Sequence, residues 1–196
     1  MGKDLKGMRI GCAMTGSFCT FKRVFDTWRE LKDEGAELFP IMSFNAASID
    51  TRFYAAKDAV GIFEEICGRP VLRRIEEVEP IGPKKMLDLL IVAPCTGNSI
   101  AKIANGISDT PVTLAVKSHL RNARPVLLAV SSNDALSQNA LNVGKLLNMK
   151  QFYFVPYRQD APGEKAFSTV SDFGLVLESA KMALSGVQMQ PILTAK

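Results

Sequence analysis

Three apolar runs constrain this chain more than any other feature: MRIGCAM at 8–14, LDLLIVA at 87–93 and RPVLLAV at 124–130. None alternates with polar residues, so each reads as a strand buried on both faces. Shorter strands are expected at 38–42 and within KQFYFVP. Helical spacing fills the intervals. Phe21, Val24, Phe25, Trp28 and Leu31 share one helical face, and Gly35 stands where a left-handed cap closes it. Further helices are expected over 58–67 and 99–105, from Pro111 onward, over QNALNVGKLLNM, and over 170–184. Residues 44–57 and 157–169 read as polar loops. Buried strands separated by helices predict an α/β fold, a single doubly wound, Rossmann-like parallel sheet with helices on both faces. With no repeat or linker, 1–196 is expected to form one domain with an irregular tail at 185–196.

Composition narrows the function classes. A chain of 196 residues, 47% hydrophobic and 22% charged, can bury a substantial core. No apolar run approaches the roughly 18 residues of a membrane span. The start MGKDLKGMRIG carries no long apolar stretch, so a cytoplasmic protein is expected, without membrane contact. The net charge is +4 with scattered basic residues, and no pattern of a nucleic-acid module is present. Acidic small molecules are the expected counterparts. Cys12, Cys19, Cys67 and Cys95 form no CxxC or Cys/His spacing, so no metal site is expected and the thiols are read as reduced.

In such sheets ligands bind beyond the C-terminal ends of the strands. Each strand here ends in hydroxyls and amides: Thr15-Gly16-Ser17, Ser43-Phe44-Asn45, Thr96-Gly97-Asn98-Ser99, and Ser131-Ser132-Asn133-Asp134. One such loop is ordinary helix-cap chemistry; four together predict a shared polar pocket. GCAMTGS is neither a dinucleotide fingerprint nor a P-loop. Lys22 and Arg23 stand in the first turn of the first helix, where the helix dipole prefers anions. A phosphate bound near the amides of 15–20 would resolve that conflict, and two solvated side chains would also account for it. Cys95 reads as a small apolar filler, and the single histidine, His119, as a residue near a helix C-terminus. Asp109 and Asp134 read either as bases or as helix caps.

The stretch IVAPCTGNSIAKIANGISDTPVTLAVKSHL resembles the signature of the flavoproteins that include flavin-containing cysteine decarboxylases and flavin prenyltransferases. Pro94, Thr96, Gly97, Asn98, Ser99, Ala104, Gly106 and Asp109 match that pattern, and GCAMTGS, Ser43 and LLAVSSNDALSQNALNVGKLL extend it. The resemblance implies FMN at the strand ends, with Thr15, Gly16, Ser17 and Ser43 near its phosphate and ribityl chain. Thr96, Asn98 and Ser99 would lie near the flavin or substrate, and Ser131, Ser132 and Asn133 would complete the cofactor site. Asn98 and Thr96 are the catalytic candidates. A homo-oligomer is implied, with a neighbouring subunit completing the site.

Two departures narrow the activity. The decarboxylases carry a histidine after the second strand, whereas SFNAASIDTRFYAAKD has none; the prenyltransferases carry an Arg-Glu pair where Ser132-Asn133 stands. GCAMTGSFCTF, APCTGNSIAKIANGISDTPV and FVPYRQDAPGEK resemble instead a branch serving as one half of a two-subunit, dicarboxylate-forming oxidoreductase. That branch implies a partner subunit similar to nicotinamide-dependent dehydrogenases, carrying NADP or NAD, and a small planar dicarboxylate substrate. Carboxylates would meet loop amides and hydroxyls together with Lys22, Arg23 or Arg158. The alternatives are a stand-alone FMN-dependent decarboxylase and a non-catalytic scaffold of the same fold.

Overall fold

The computed structural model describes residues 2–195. Its frame is five parallel strands, β1 (Arg9–Met14), β2 (Glu37–Met42), β3 (Leu89–Cys95), β4 (Val126–Ser132) and β5 (Phe152–Phe154). They pair in the order β2-β1-β3-β4-β5. The helices are α1 (Phe21–Asp33), α2 (Phe44–Ser48), α3 (Ala56–Cys67), α4 (Ile75–Val78), α5 (Gly97–Ala104), α6 (Pro111–Leu120), α7 (Ala140–Leu147) and α8 (Val176–Ala183).

The unbroken apolar runs follow from two covered faces. Leu89, Ile91 and Ala93 of β3 enter one core layer, which α1, α3 and α8 cover. Leu90 and Val92 enter the other, against α5, α6 and α7. Helix ends fall where local chemistry stops or starts them. Thr110 caps α6 by accepting from the Thr113 N–H at 3.2 Å, Pro111 follows it, and Gly106 takes the left-handed conformation after α5. Among the described residues Asp109 caps no helix, and it instead meets Lys102 Nζ at 2.8 Å.

At the N-terminal edge of the sheet, Asp88 accepts from the Arg9 main chain and side chain and from Arg124 Nη1, each at 3.0 Å. Burial would raise this carboxyl, but the Arg9 hydrogen bonds and both guanidinium charges hold it below its ordinary value. The pair of arginines locks β1, β3 and β4 in register at the end remote from the strand-end loops.

The segment expected as a loop at 157–169 contains a hairpin, β6 (Tyr157–Gln159) and β7 (Thr169–Ser171). β5 pairs only with the first part of β4, which leaves the edge of Ser131 and Ser132 open. β7 fills that edge antiparallel, setting Val170 opposite Ser131 and Thr169 opposite Ser132. The sheet is therefore parallel with an antiparallel hairpin over one corner. Beyond α8 the chain forms no further helix or ladder up to residue 195, but it is tied down. Gln188 exchanges side-chain hydrogen bonds with Phe154 at 2.7 Å, and Leu193 bridges to Tyr157. Of the tail expected at 185–196, Lys196 lies outside the described residues.

Candidate functional site

The loops at the C-terminal ends of β1, β2, β3 and β4 open onto one cleft of about 1100 Å3. Its floor is the crevice between β1 and β3. There the chain leaves β1 into the α1 layer and β3 into the opposite α5 layer, the switch point at which open α/β sheets take ligands. All ten residues singled out from sequence line this cleft: Thr15, Gly16 and Ser17 after β1, Ser43 after β2, Thr96, Asn98 and Ser99 after β3, and Ser131, Ser132 and Asn133 at β4.

They divide into a fixed frame and a free surface. Thr15 is buried, and its Oγ1 donates to the Pro94 carbonyl at 2.7 Å while accepting from the Thr96 N–H at 3.0 Å. Thr96 caps α5 through the Ser99 N–H at 3.4 Å, and its hydroxyl lies 3.1 Å from that of Ser99. Ser43 caps α2 by accepting from the Ala46 N–H at 3.3 Å. Ser17 and Ser131 share a hydrogen bond of 2.8 Å across the cleft floor. Ser132 Oγ donates to Asp134 Oδ1 at 2.5 Å. These hydroxyls shape the walls.

The amides are different. Asn45, Asn98 and Asn133 are exposed at the cleft, and their side chains have no hydrogen-bond partner among the described residues. Each amide offers two donors and an acceptor to whatever enters.

Charges in the cleft are mostly self-neutralised. Lys102 holds Asp109 at 2.8 Å, and this hydrogen bond keeps the Asp109 carboxyl below its usual value. Lys165 holds Asp160, also at 2.8 Å. Arg23 and Arg52 line the cleft with no carboxylate partner among the described residues. Each guanidinium lies over an aromatic ring, Arg23 5.2 Å from the Phe173 centroid and Arg52 4.9 Å from that of Phe53. Of the three basic residues expected to meet carboxylates, only Arg23 is at the cleft; Lys22 and Arg158 are not among its lining residues.

Sequence reading missed Arg52 and the hairpin residues Ser168 and Thr169. Thr169 is buried, and its Oγ1 has no hydrogen-bond partner among the described residues. The TRF tripeptide at 51–53, with one guanidinium beside one ring, is the signal that could have found Arg52. Cys95 is fully buried, and burial pushes its thiol well up; Cys19 is the exposed thiol of the cleft. His119 is fully buried beside Pro125, at the opposite end of β4, and burial pushes it down to about 4.

A sheet of this order, with a polar crevice at its switch point, is of the flavodoxin-like doubly wound class of α/β proteins. The Flavoprotein family model matches residues 1–182, and the chain belongs to that family. It is 43% identical over 190 residues to the B-type subunit of dipicolinate synthase from Bacillus subtilis (strain 168), covering 97% of this chain and 95% of that one. The crystal structure of the same dipicolinate synthase component from Bacillus halodurans C matches with a TM-score of 0.91 at 36% identity, covering 98% of this chain and 99% of that one. An FMN-dependent cysteine decarboxylase shares the fold, with a TM-score of 0.71 at 21% identity over 92% of this chain and 99% of that one.

Proposed function

We propose that this chain is the flavoprotein-fold component of a dipicolinate synthase. It would work beside an A-type partner that resembles nicotinamide-dependent dehydrogenases and binds NADP or NAD. Together they would oxidise dihydrodipicolinate to dipicolinate in the cytoplasm of a sporulating cell. The observation that carries this reading is likeness along 97% of the chain to a relative named for that role. The cleft supports it: Arg23 and Arg52 stand ready for the carboxylates of a small planar diacid, and Asn45, Asn98 and Asn133 for its polar edge.

The residues also fit FMN. Gly16 and Ser17 lead into a 3-10 turn, Phe18–Thr20, that runs on into α1; neither first turn holds an acidic residue, and among the described residues no side chain caps either start. The Phe21 and Thr20 N–H groups are taken by the Phe18 and Ser17 carbonyls, so a phosphate would meet the Phe18 and Cys19 N–H groups at the start of that turn, with Arg23 as a cation of the same cleft. When bound, FMN would supply a hydride acceptor. The chain's own part is to hold the diacid with its arginines and amides, and to keep the floor rigid through Thr15, Ser17 and Ser131. The decarboxylase alternative lacks its histidine: His119 is buried at the far end of the sheet.

The test is an absorption spectrum of the purified chain with added FMN, followed through a titration with dihydrodipicolinate, and then an assay with and without the dehydrogenase-like partner. A flavin band that responds to substrate, with turnover only in the mixture, supports the reading. Turnover by this chain alone on a carboxylated thiol would overturn it.

A further inference from the structure

Resting on that reading, we propose that Asp134 is the base that removes the substrate proton. Converting the dihydro ring to an aromatic one breaks two bonds to hydrogen. A hydride leaves with its electron pair, which ends on the nicotinamide oxidant of the two-component enzyme, and a proton leaves to a base. No other atoms are gained or lost, so the cleft needs one group able to take that proton.

The cleft offers few. Asp109 and Asp160 are each held by a lysine ammonium at 2.8 Å, which occupies both partners of each pair. Arginine stays protonated in proteins, which removes Arg23 and Arg52. The sole histidine is buried at the other end of the sheet. Among the described residues, Asp134 is the one cleft carboxylate without a cationic partner.

Its geometry suits the task. Oδ1 accepts from Ser132 Oγ at 2.5 Å and Oδ2 from Asn139 Nδ2 at 2.7 Å. Both donors are neutral, so they orient the carboxylate without cancelling its charge, and each oxygen keeps a further lone pair. Asn139 is itself buried and accepts from Asn142 Nδ2 at 2.8 Å, which fixes its amide. The carboxylate caps no helix: among the described residues no main-chain N–H donates to it. Asp172, by contrast, accepts from the Gly174 N–H at 3.1 Å in the ordinary capping manner. Gly97 lets Asp134 rest directly against the start of α5, beside Thr96 and Asn98.

Two variants test this in the mixture with the dehydrogenase-like partner. Asp134→Asn keeps the shape and should bind pyridine-2,6-dicarboxylate as the parent chain does while losing at least about 100-fold in turnover, the low end of general-base effects. Asp134→Ala should regain turnover on addition of formate, a small carboxylate that a purely structural defect would not answer to. Turnover by Asp134→Asn within about threefold of the parent overturns the proposal, and so does an Asp134→Ala variant that formate does not rescue. If the parent mixture itself fails to turn over dihydrodipicolinate, the functional reading fails instead, so the two failures are distinct.

Discussion

Thr15 and Thr96 join the two strands of the switch point: the Thr96 N–H donates to Thr15 Oγ1 at 3.0 Å, and the same hydroxyl donates to the Pro94 carbonyl at 2.7 Å. One buried side chain thereby replaces the ladder where β1 ends and β3 continues past it. Thr15→Val has nearly the same shape and removes both bonds. It leaves the Thr96 N–H without its partner, at a cost of about 2 kcal/mol. The expected result is a lower thermal midpoint and weaker binding of FMN or diacid, with Thr15→Ser close to the parent in both. Equal thermal midpoints for Thr15→Val and Thr15→Ser would show that the hydroxyl does not matter there.

How much of this was legible beforehand depended on segment length and burial. The runs at 87–93 and 124–130 announced buried parallel strands because both their faces are covered, so no polar residue interrupts them. The strand-end hydroxyls were legible because each apolar run stops abruptly at one. β6 and β7 were not: three residues each, YRQ and TVS, are too short to show a period, and their pairing depends on an edge that β5 leaves open. Thr169 escaped for the same reason, and Arg52 because it stands in the loop between α2 and α3, away from any strand end. Arg158 looked suitable by charge alone, but it sits on β6 away from the cleft lining.

Gly97 was matched as part of a motif, and the structure gives its physical reason. A Cβ there would fall on Asp134 Oδ1, 2.6 Å from Ser132 Oγ and 2.8 Å from Asn139 Nδ2. These atoms form one hydrogen-bonded cluster, so none can yield without breaking a neighbour's bond. Gly97→Ala should destabilise by about 1–3 kcal/mol through overpacking and should impair turnover more than product binding. Chemical denaturation and a kcat–KM comparison check it. An unchanged denaturation midpoint would mean that the cluster is looser than the geometry shows.

The four thiols should separate cleanly. Cys12, Cys67 and Cys95 are buried, and burial raises all three, Cys67 to about 12. Thiolate, the reactive form, is therefore scarce and enclosed at these positions. Cys19 is exposed on the cleft wall, 4.0 Å from Ser17 Oγ. Brief alkylation of the folded protein at mildly alkaline pH should give one adduct, at Cys19, and a bound cleft ligand should slow it. Peptide mass mapping reads the site, and an adduct at Cys95 under native conditions would contradict the burial argument.

His119 makes stability depend on mild acid. Its Nε2 pairs with the Pro125 carbonyl at 2.9 Å, while Nδ1 is buried without a partner among the described residues. Burial lowers its pKa from 6.5 to about 4; Arg124 adds to the lowering, against the Pro125 hydrogen bond and Asp88. The unfolded chain therefore binds this proton more readily than the folded one. The stabilising contribution is fully present above pH 6.5 and is lost as the pH falls toward 4. Its size is on the order of 3 kcal/mol. Gln at this position can donate to the same carbonyl but cannot titrate. Across that pH window the denaturation midpoint of the parent should fall more steeply than that of His119→Gln, and parallel curves would assign the acid sensitivity to other groups.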